Sequence, residues 1–164
     1  MRKTRLLLAL PLALLLAACV NDSASYLIDG RDHSLTIRRE QSYFWKKDAD
    51  ISLVAARLPD CQRLHALTDA NADDVKVDLY AAGEGLWNVR IDQQLWQIET
   101  QTCNGLTELQ YDPKADLGQL VGSFIVKNGK LEFDAAPLPA GGSAAAPAEA
   151  PAADASAEAA PADK

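Results

Sequence analysis

Histidine is nearly absent from this chain: His33 and His65 are the only two in 164 residues. Metal centres and nucleophilic triads generally draw on histidine together with other donors at fixed spacing, so both chemistries start with little material. Cysteine is as sparse, at three (Cys19, Cys61 and Cys103), and none lies in a C-x-x-C pair. Cys61 and His65 stand four apart, which on a helix would put them on one face, but no second ligand pair completes a metal site. The plainer reading is a bridging cysteine beside a solvated histidine. Also missing are the G-x-S-x-G elbow, the P-loop, the G-x-G-x-x-G turn and the H-E-x-x-H helix. Asp69, Asn71 and Asp73 alternate like the first ligands of an EF-hand loop, yet Asp74 stands where glycine is needed and Tyr80 where a bidentate glutamate is needed. They are read as a polar loop. No metal or cofactor is expected, and nothing selects a catalytic pair from the 23 acidic residues, so the expected class is non-enzymatic.

Positive charge is in short supply as well. Sixteen Lys and Arg face 23 Asp and Glu, a net charge of −7, and a chain this acidic is a poor partner for nucleic acid, whose binding rests on Lys and Arg neutralising phosphates. A long apolar run is missing too. The stretch from Leu6 to Leu16, broken by Pro11, is little more than half of the roughly 20 residues a spanning helix needs. With Arg2, Lys3 and Arg5 before it and small residues after it, it has the three-part plan of a secretory signal.

That segment closes on Leu16-Ala17-Ala18-Cys19, which resembles the lipobox of bacterial lipoproteins. The resemblance implies cleavage before Cys19, diacylglycerol on its thiol and acylation of its new amine; an ordinary secretory signal with a chance cysteine is the alternative. Two or three acyl chains give stable membrane anchoring where one gives only marginal binding. Cleavage would remove three basic residues and no acid, leaving 13 basic against 23 acidic and a net charge of −10. The residue after the cysteine is Val20, not the aspartate that is the familiar inner-membrane retention signal in enteric bacteria. By the same resemblance the protein passes to the outer membrane, facing the periplasm. As a whole the mature chain resembles the small uncharacterised lipoproteins of proteobacterial envelopes, a likeness that hands over no functional residue.

With Cys19 assigned to lipid, Cys61 and Cys103 form an even pair in an oxidising compartment, the setting in which disulfides persist; two free thiols are the alternative. Four zones follow along the chain: a signal over residues 1–18, a polar lipidated tether over 19–25, a globular domain over 26–134, and a tail over 135–164. The tail is made of Ala, Pro, Gly, Ser and a few acids, with Leu138 its one large apolar residue, and is expected to be disordered because it can bury too little to offset the entropy of ordering.

Inside the domain the hydrophobic period is two. Leu35, Ile37 and Arg39 alternate with Thr36 and Arg38; Val75, Val77 and Leu79 alternate with Lys76 and Asp78. Trp87, Val89 and Ile91 share a parity, and so do Trp96, Ile98 and Thr100, with a turn expected at Gln93-Gln94. Asn128-Gly129 is the favoured type I′ hairpin pair, which sets Val126 opposite Leu131 and Phe124 opposite Phe133. Ile51–Leu58 is apolar at both parities and reads as a strand covered on both sides. Helix is limited to weak candidates at Cys61–Leu67 and around Ala115–Leu120. The expected fold is all-β: a small antiparallel β-sandwich or partly open barrel of about six or seven strands.

One segment does not fit routine core. Tyr43, Phe44 and Trp45 are adjacent and run into Lys46 and Lys47, with Arg38 and Arg39 shortly before. A strand sends neighbours to opposite faces, so at least one ring is expected to be exposed or in a loop. Tyr and Trp favour sites apolar at one end and wet at the other. The patch is the candidate contact surface for an envelope protein or the cell wall; the alternative is that Phe44 and Trp45 plug the open end of the sandwich. A ligand-binding lipoprotein, with a pocket in the sandwich lined by indoles, is the competing function.

Overall fold

The computed structural model describes residues 20–43 and 45–137; the expectations for the signal, for Cys19, for Phe44 and for the tail beyond 137 lie outside these. The described chain is all-β, with two antiparallel sheets. The first has four strands in the order β1-β2-β3-β4: Asn21–Leu27, His33–Glu40, Asp48–Arg57 and Cys61–Asn71. The second has six, in the order β10-β9-β5-β6-β7-β8. In chain order these are β5 (Lys76–Gly83), β6 (Leu86–Ile91), β7 (Gln94–Glu99), β8 (Thr107–Leu109), β9 (Gln119–Lys127) and β10 (Lys130–Ala135).

Alternation decides what is inside. Leu35, Ile37, Ile51 and Leu53 from the first sheet meet Val77, Leu79, Val89, Ile98 and Phe124 from the second in one buried cluster. Burial of such side chains is worth about 1.5–3 kcal/mol each. The sandwich is not a closed barrel, but β1 and β10 lie side by side along one edge. There Tyr26 packs on Trp87 and Phe133, at centroid distances of 5.5 and 5.1 Å.

The described residues form ten strands where about six or seven were expected, and the differences have local causes. Asn21–Ser25 is not a tether: it pairs with Glu40–Thr36 as most of β1, so the fold starts five residues before Tyr26. Its polar sequence hides the strand, because only Ala24 is buried there. Cys61–Leu67 is no helix but the first part of β4, drawn out by pairing with β3, and the segment around Ala115–Leu120 turns and then enters β9 at Gln119. Ile51–Leu58 is covered more fully on one side than on the other: Ile51, Leu53 and Ala55 are buried, while on the opposite parity Ala56 is buried, Ser52 and Val54 are half-buried and Leu58 is exposed. The β6–β7 turn falls at Asp92-Gln93, pairing Ile91 with Gln94 and Val89 with Trp96. The positive φ of 52° sits on Asp92, a residue type that tolerates it. The Asn128-Gly129 turn has φ of 53° and 78°, and Val126 pairs with Leu131 and Phe124 with Phe133.

The two ends of the sandwich are fastened differently. At the end holding the β9–β10 turn, Arg39 is 1% exposed and its guanidinium grips Asp22 through Nε–Oδ1 at 2.8 Å and Nη2–Oδ2 at 2.7 Å. It also donates to the Gly129 carbonyl at 2.9 Å and to that of Ala72, while Asp22 accepts the Leu131 N–H at 2.8 Å. Desolvation works to raise the Asp22 carboxyl, and Arg39 and Leu131 overcome it, holding it below the ordinary carboxylate value. Far from belonging to a surface cationic patch, Arg39 follows Leu35 and Ile37 on the inward parity.

At the other end Cys61 of β4 and Cys103, in the loop after β7, meet in a disulfide with Cα atoms 5.9 Å apart. His65, opposite Leu53 on the same face of β4, places Nε2 2.8 Å from the Cys103 carbonyl oxygen. Glu99 shapes this loop by accepting from the Gln101 N–H at 2.9 Å, the Asn104 N–H at 3.2 Å, and the Thr102 N–H and hydroxyl. Those contacts, the Thr102 hydroxyl first, hold its carboxyl at about 2, below the usual 4.5. A carboxyl depressed in the folded state stabilises above its unfolded value, and that stabilisation is lost as pH falls through the folded one. The melting temperature should therefore drop as pH is lowered from about 4.5 to about 2, and Glu99→Gln should flatten the curve in that window. Superimposable melting-versus-pH curves for parent and variant would reject this role.

Candidate functional site

The aromatic-basic segment is the β2–β3 loop, residues 41–47, and it is a braced structure. The Gln41 side-chain amide donates to the Lys46 carbonyl, the Lys46 N–H donates to the Tyr43 carbonyl at 3.1 Å, and the Ala72 N–H donates to the Lys47 carbonyl at 2.8 Å. Lys46 Nζ lies 3.5 Å from both Asp50 and Asp69. Desolvation acts to lower this ammonium, and the two carboxylates overcome it, leaving it above the usual lysine value.

On this frame Tyr43 and Trp45 stack, ring centroids 5.0 Å apart and planes 17° from parallel, and both face outward at 55% and 68% exposure. Trp45 does not plug the sandwich; Trp87 and Trp96, the other two indoles, are buried in the core. Offset stacking adds about 0.5–1.5 kcal/mol to such a pair, so the two rings present one apolar platform. Lys47 is exposed beside them, and Arg38 turns to Glu40 at 3.6 Å.

The position of the loop is the feature the sequence did not disclose. Because β1 and β2 are antiparallel partners, with Asn21 opposite Glu40, the loop leaving β2 lies where the chain enters β1. The Gln41 N–H donates to the Val20 carbonyl at 2.8 Å. Val20 follows Cys19 directly. The signal that could have revealed this is the match of Ala24 and Tyr26 to Ile37 and Leu35 across a hairpin whose turn is residues 29–32.

The remaining candidates are occupied elsewhere. Cys61 is bridged to Cys103, Asp69 pairs with Lys46, and Asn71 accepts the Asp73 N–H at 3.0 Å to make a local turn. Among the described residues no group of three or more His, Cys, Asp or Glu is placed to hold a metal ion. A cleft of about 610 Å³ opens at the disulfide end, lined by Ile28, Asp29, His33, Arg57, Asp60, Glu84, Gly85 and Gln101. Burial there, then the nearby Arg57, pushes the His33 imidazole below its usual value, against a smaller opposing pull from Asp29. No tryptophan lines the cleft. Comparison with known protein families, with curated proteins and with solved structures finds no match to this chain.

Proposed function

We propose that this protein is a lipid-anchored module of the bacterial cell envelope that works by contact rather than by catalysis. Cys19 carries the lipid, the β-sandwich stands on the outer membrane facing the periplasm, and the 41–47 loop is its contact surface. The observation that carries the reading is the outward Tyr43–Trp45 stack, held on a braced loop at the end where the chain leaves Cys19. A contact surface needs rigid amphipathic rings that cost little entropy to fix, and this loop supplies them. An envelope protein or the cell wall would be engaged from that anchored position.

The competing reading, a ligand-binding lipoprotein, looks for a concave pocket lined by indoles. Here the interior between the sheets is filled by Leu35, Ile37, Leu53, Leu79 and Phe124, each fully buried, and a ligand would have to use the charged cleft around His33 and Arg57 instead. The contact reading accounts for the exposed rings; the pocket reading leaves them unexplained.

The anchor is tested by Cys19→Ala in the full chain. The parent should incorporate a palmitate analogue and be cut to its mature length, while the variant should remain unlabelled and uncut by the lipoprotein signal peptidase. Equal labelling of the two would remove the lipid from Cys19 and the anchor from the proposal.

A further inference from the structure

The geometry points to one occupant for the Tyr43–Trp45 platform: the headgroup layer of the membrane to which Cys19 is tied. This inference rests on the lipid-anchor reading above and names what the contact surface touches.

Length decides the matter. Consecutive Cα atoms are about 3.8 Å apart, so an acylated Cys19 sits one step from Val20, and Val20 is already fixed by the Gln41 N–H at 2.8 Å. No slack separates anchor from fold, because β1 begins at Asn21. Tyr43 is two residues beyond Gln41, within about 7 Å even for extended chain, and Trp45 is stacked on Tyr43 at 5.0 Å. The headgroup layer is itself about 5–8 Å deep on each side of the hydrocarbon. A cysteine whose acyl chains enter the bilayer therefore keeps both rings within reach of that layer, where Trp and Tyr are enriched because one end is apolar and the other wet.

Charge does not drive the contact. Lys46 is engaged by Asp50 and Asp69, the exposed Lys47 and Lys130 at the same end are matched by exposed Asp48, Asp73 and Asp74, and the mature chain is acidic overall. The platform thus fits a zwitterionic surface and gains little from anionic lipid. Docking there stands the sandwich upright. The described chain runs up β10 from Lys130 beside the anchor to Ala135, roughly 17 Å away at about 3.3 Å per residue, which turns the His33–Arg57 cleft away from the bilayer.

The experiment uses the indoles already present, since Trp45 is exposed while Trp87 and Trp96 are buried. Lipidated protein is placed in phosphatidylcholine vesicles, with and without phosphatidylglycerol, and the Trp45 signal is taken as the difference from Trp45→Phe. Expected are a blue shift, protection from aqueous acrylamide and quenching by acyl-brominated lipid, alike in both vesicles. The Trp45→Ala variant should melt within about 2–4 °C of the parent.

Should the cell-made protein prove unlipidated, the anchor reading fails by that result. The contact is then judged on mature chain joined through the Cys19 thiol to a maleimide lipid. Trp45 as open to acrylamide on vesicles as in detergent-free solution overturns the inference. So does protection that requires added cell wall or envelope protein and persists without quenching by brominated lipid.

Discussion

Arg39→Ala should destabilise the domain by about 3 kcal/mol, the low end of the usual result for removing one partner from a buried ion pair, because the Asp22 side chain it strands is 24% exposed. The side chain is 1% exposed and serves two oxygens of Asp22 and the carbonyls of Ala72 and Gly129, so truncation leaves a carboxylate and two carbonyls without their donor. These acceptors come from β1, from the link between β4 and β5, and from the β9–β10 turn, so one guanidinium ties the first sheet to the second. Arg39→Lys should recover only part of the loss, because a point ammonium cannot reproduce a planar fork of donors. Replacing both charges, as Arg39→Met with Asp22→Leu, should also recover part: the unpaired charge is gone, but the Leu131 N–H and the two carbonyls stay unmet. Urea unfolding of the four proteins measures the series. A loss under about 1 kcal/mol for Arg39→Ala would show that water replaces the guanidinium.

How much of this was legible beforehand depends on whether the deciding contact was local. Asn128-Gly129 states its own turn and, with it, the Val126–Leu131 and Phe124–Phe133 pairs. The β6–β7 turn was misplaced by one residue because both Asp92-Gln93 and Gln93-Gln94 preserve the same inward parity; only the backbone conformation at Asp92 separates them. Arg39 sat on the inward parity of β2 and still read as surface charge, since its partner Asp22 is 17 residues away in a stretch without a strand pattern. That at least one ring is exposed or in a loop followed from three adjacent aromatics and the alternation of a strand; that Tyr43 and Trp45 both face outward, with Trp45 no plug of the sandwich end, did not. Nor did their place beside Val20, because it depends on β1 existing. Cys61–Leu67 shows the converse: an apolar spacing compatible with a helix was overridden by pairing with β3 and by the bridge to Cys103.

The second large effect belongs to that bridge, at the end of the sandwich opposite Arg39. Cys61→Ala combined with Cys103→Ala should cost about 4 kcal/mol, the loop-closure value for a separation of 42 residues, and should lower the melting temperature by roughly 15 °C or more. The folded loop has other supports: Glu99 accepts four of its donors, so its shape does not depend on sulfur alone. The loss should thus arise chiefly in the unfolded chain, which the bridge keeps compact. That origin has its own signature, because freeing the unfolded ensemble exposes more surface and steepens the dependence of stability on urea. The double variant should show a lower stability together with a higher m value, and reduction of the parent with dithiothreitol should reproduce both. Lower stability with an unchanged m value would place the effect in the folded state instead, where Cys103 is fully buried and held at a φ of 60°. A double variant melting within about 2 °C of the parent would mean the Arg39 clamp and the core suffice without the bridge.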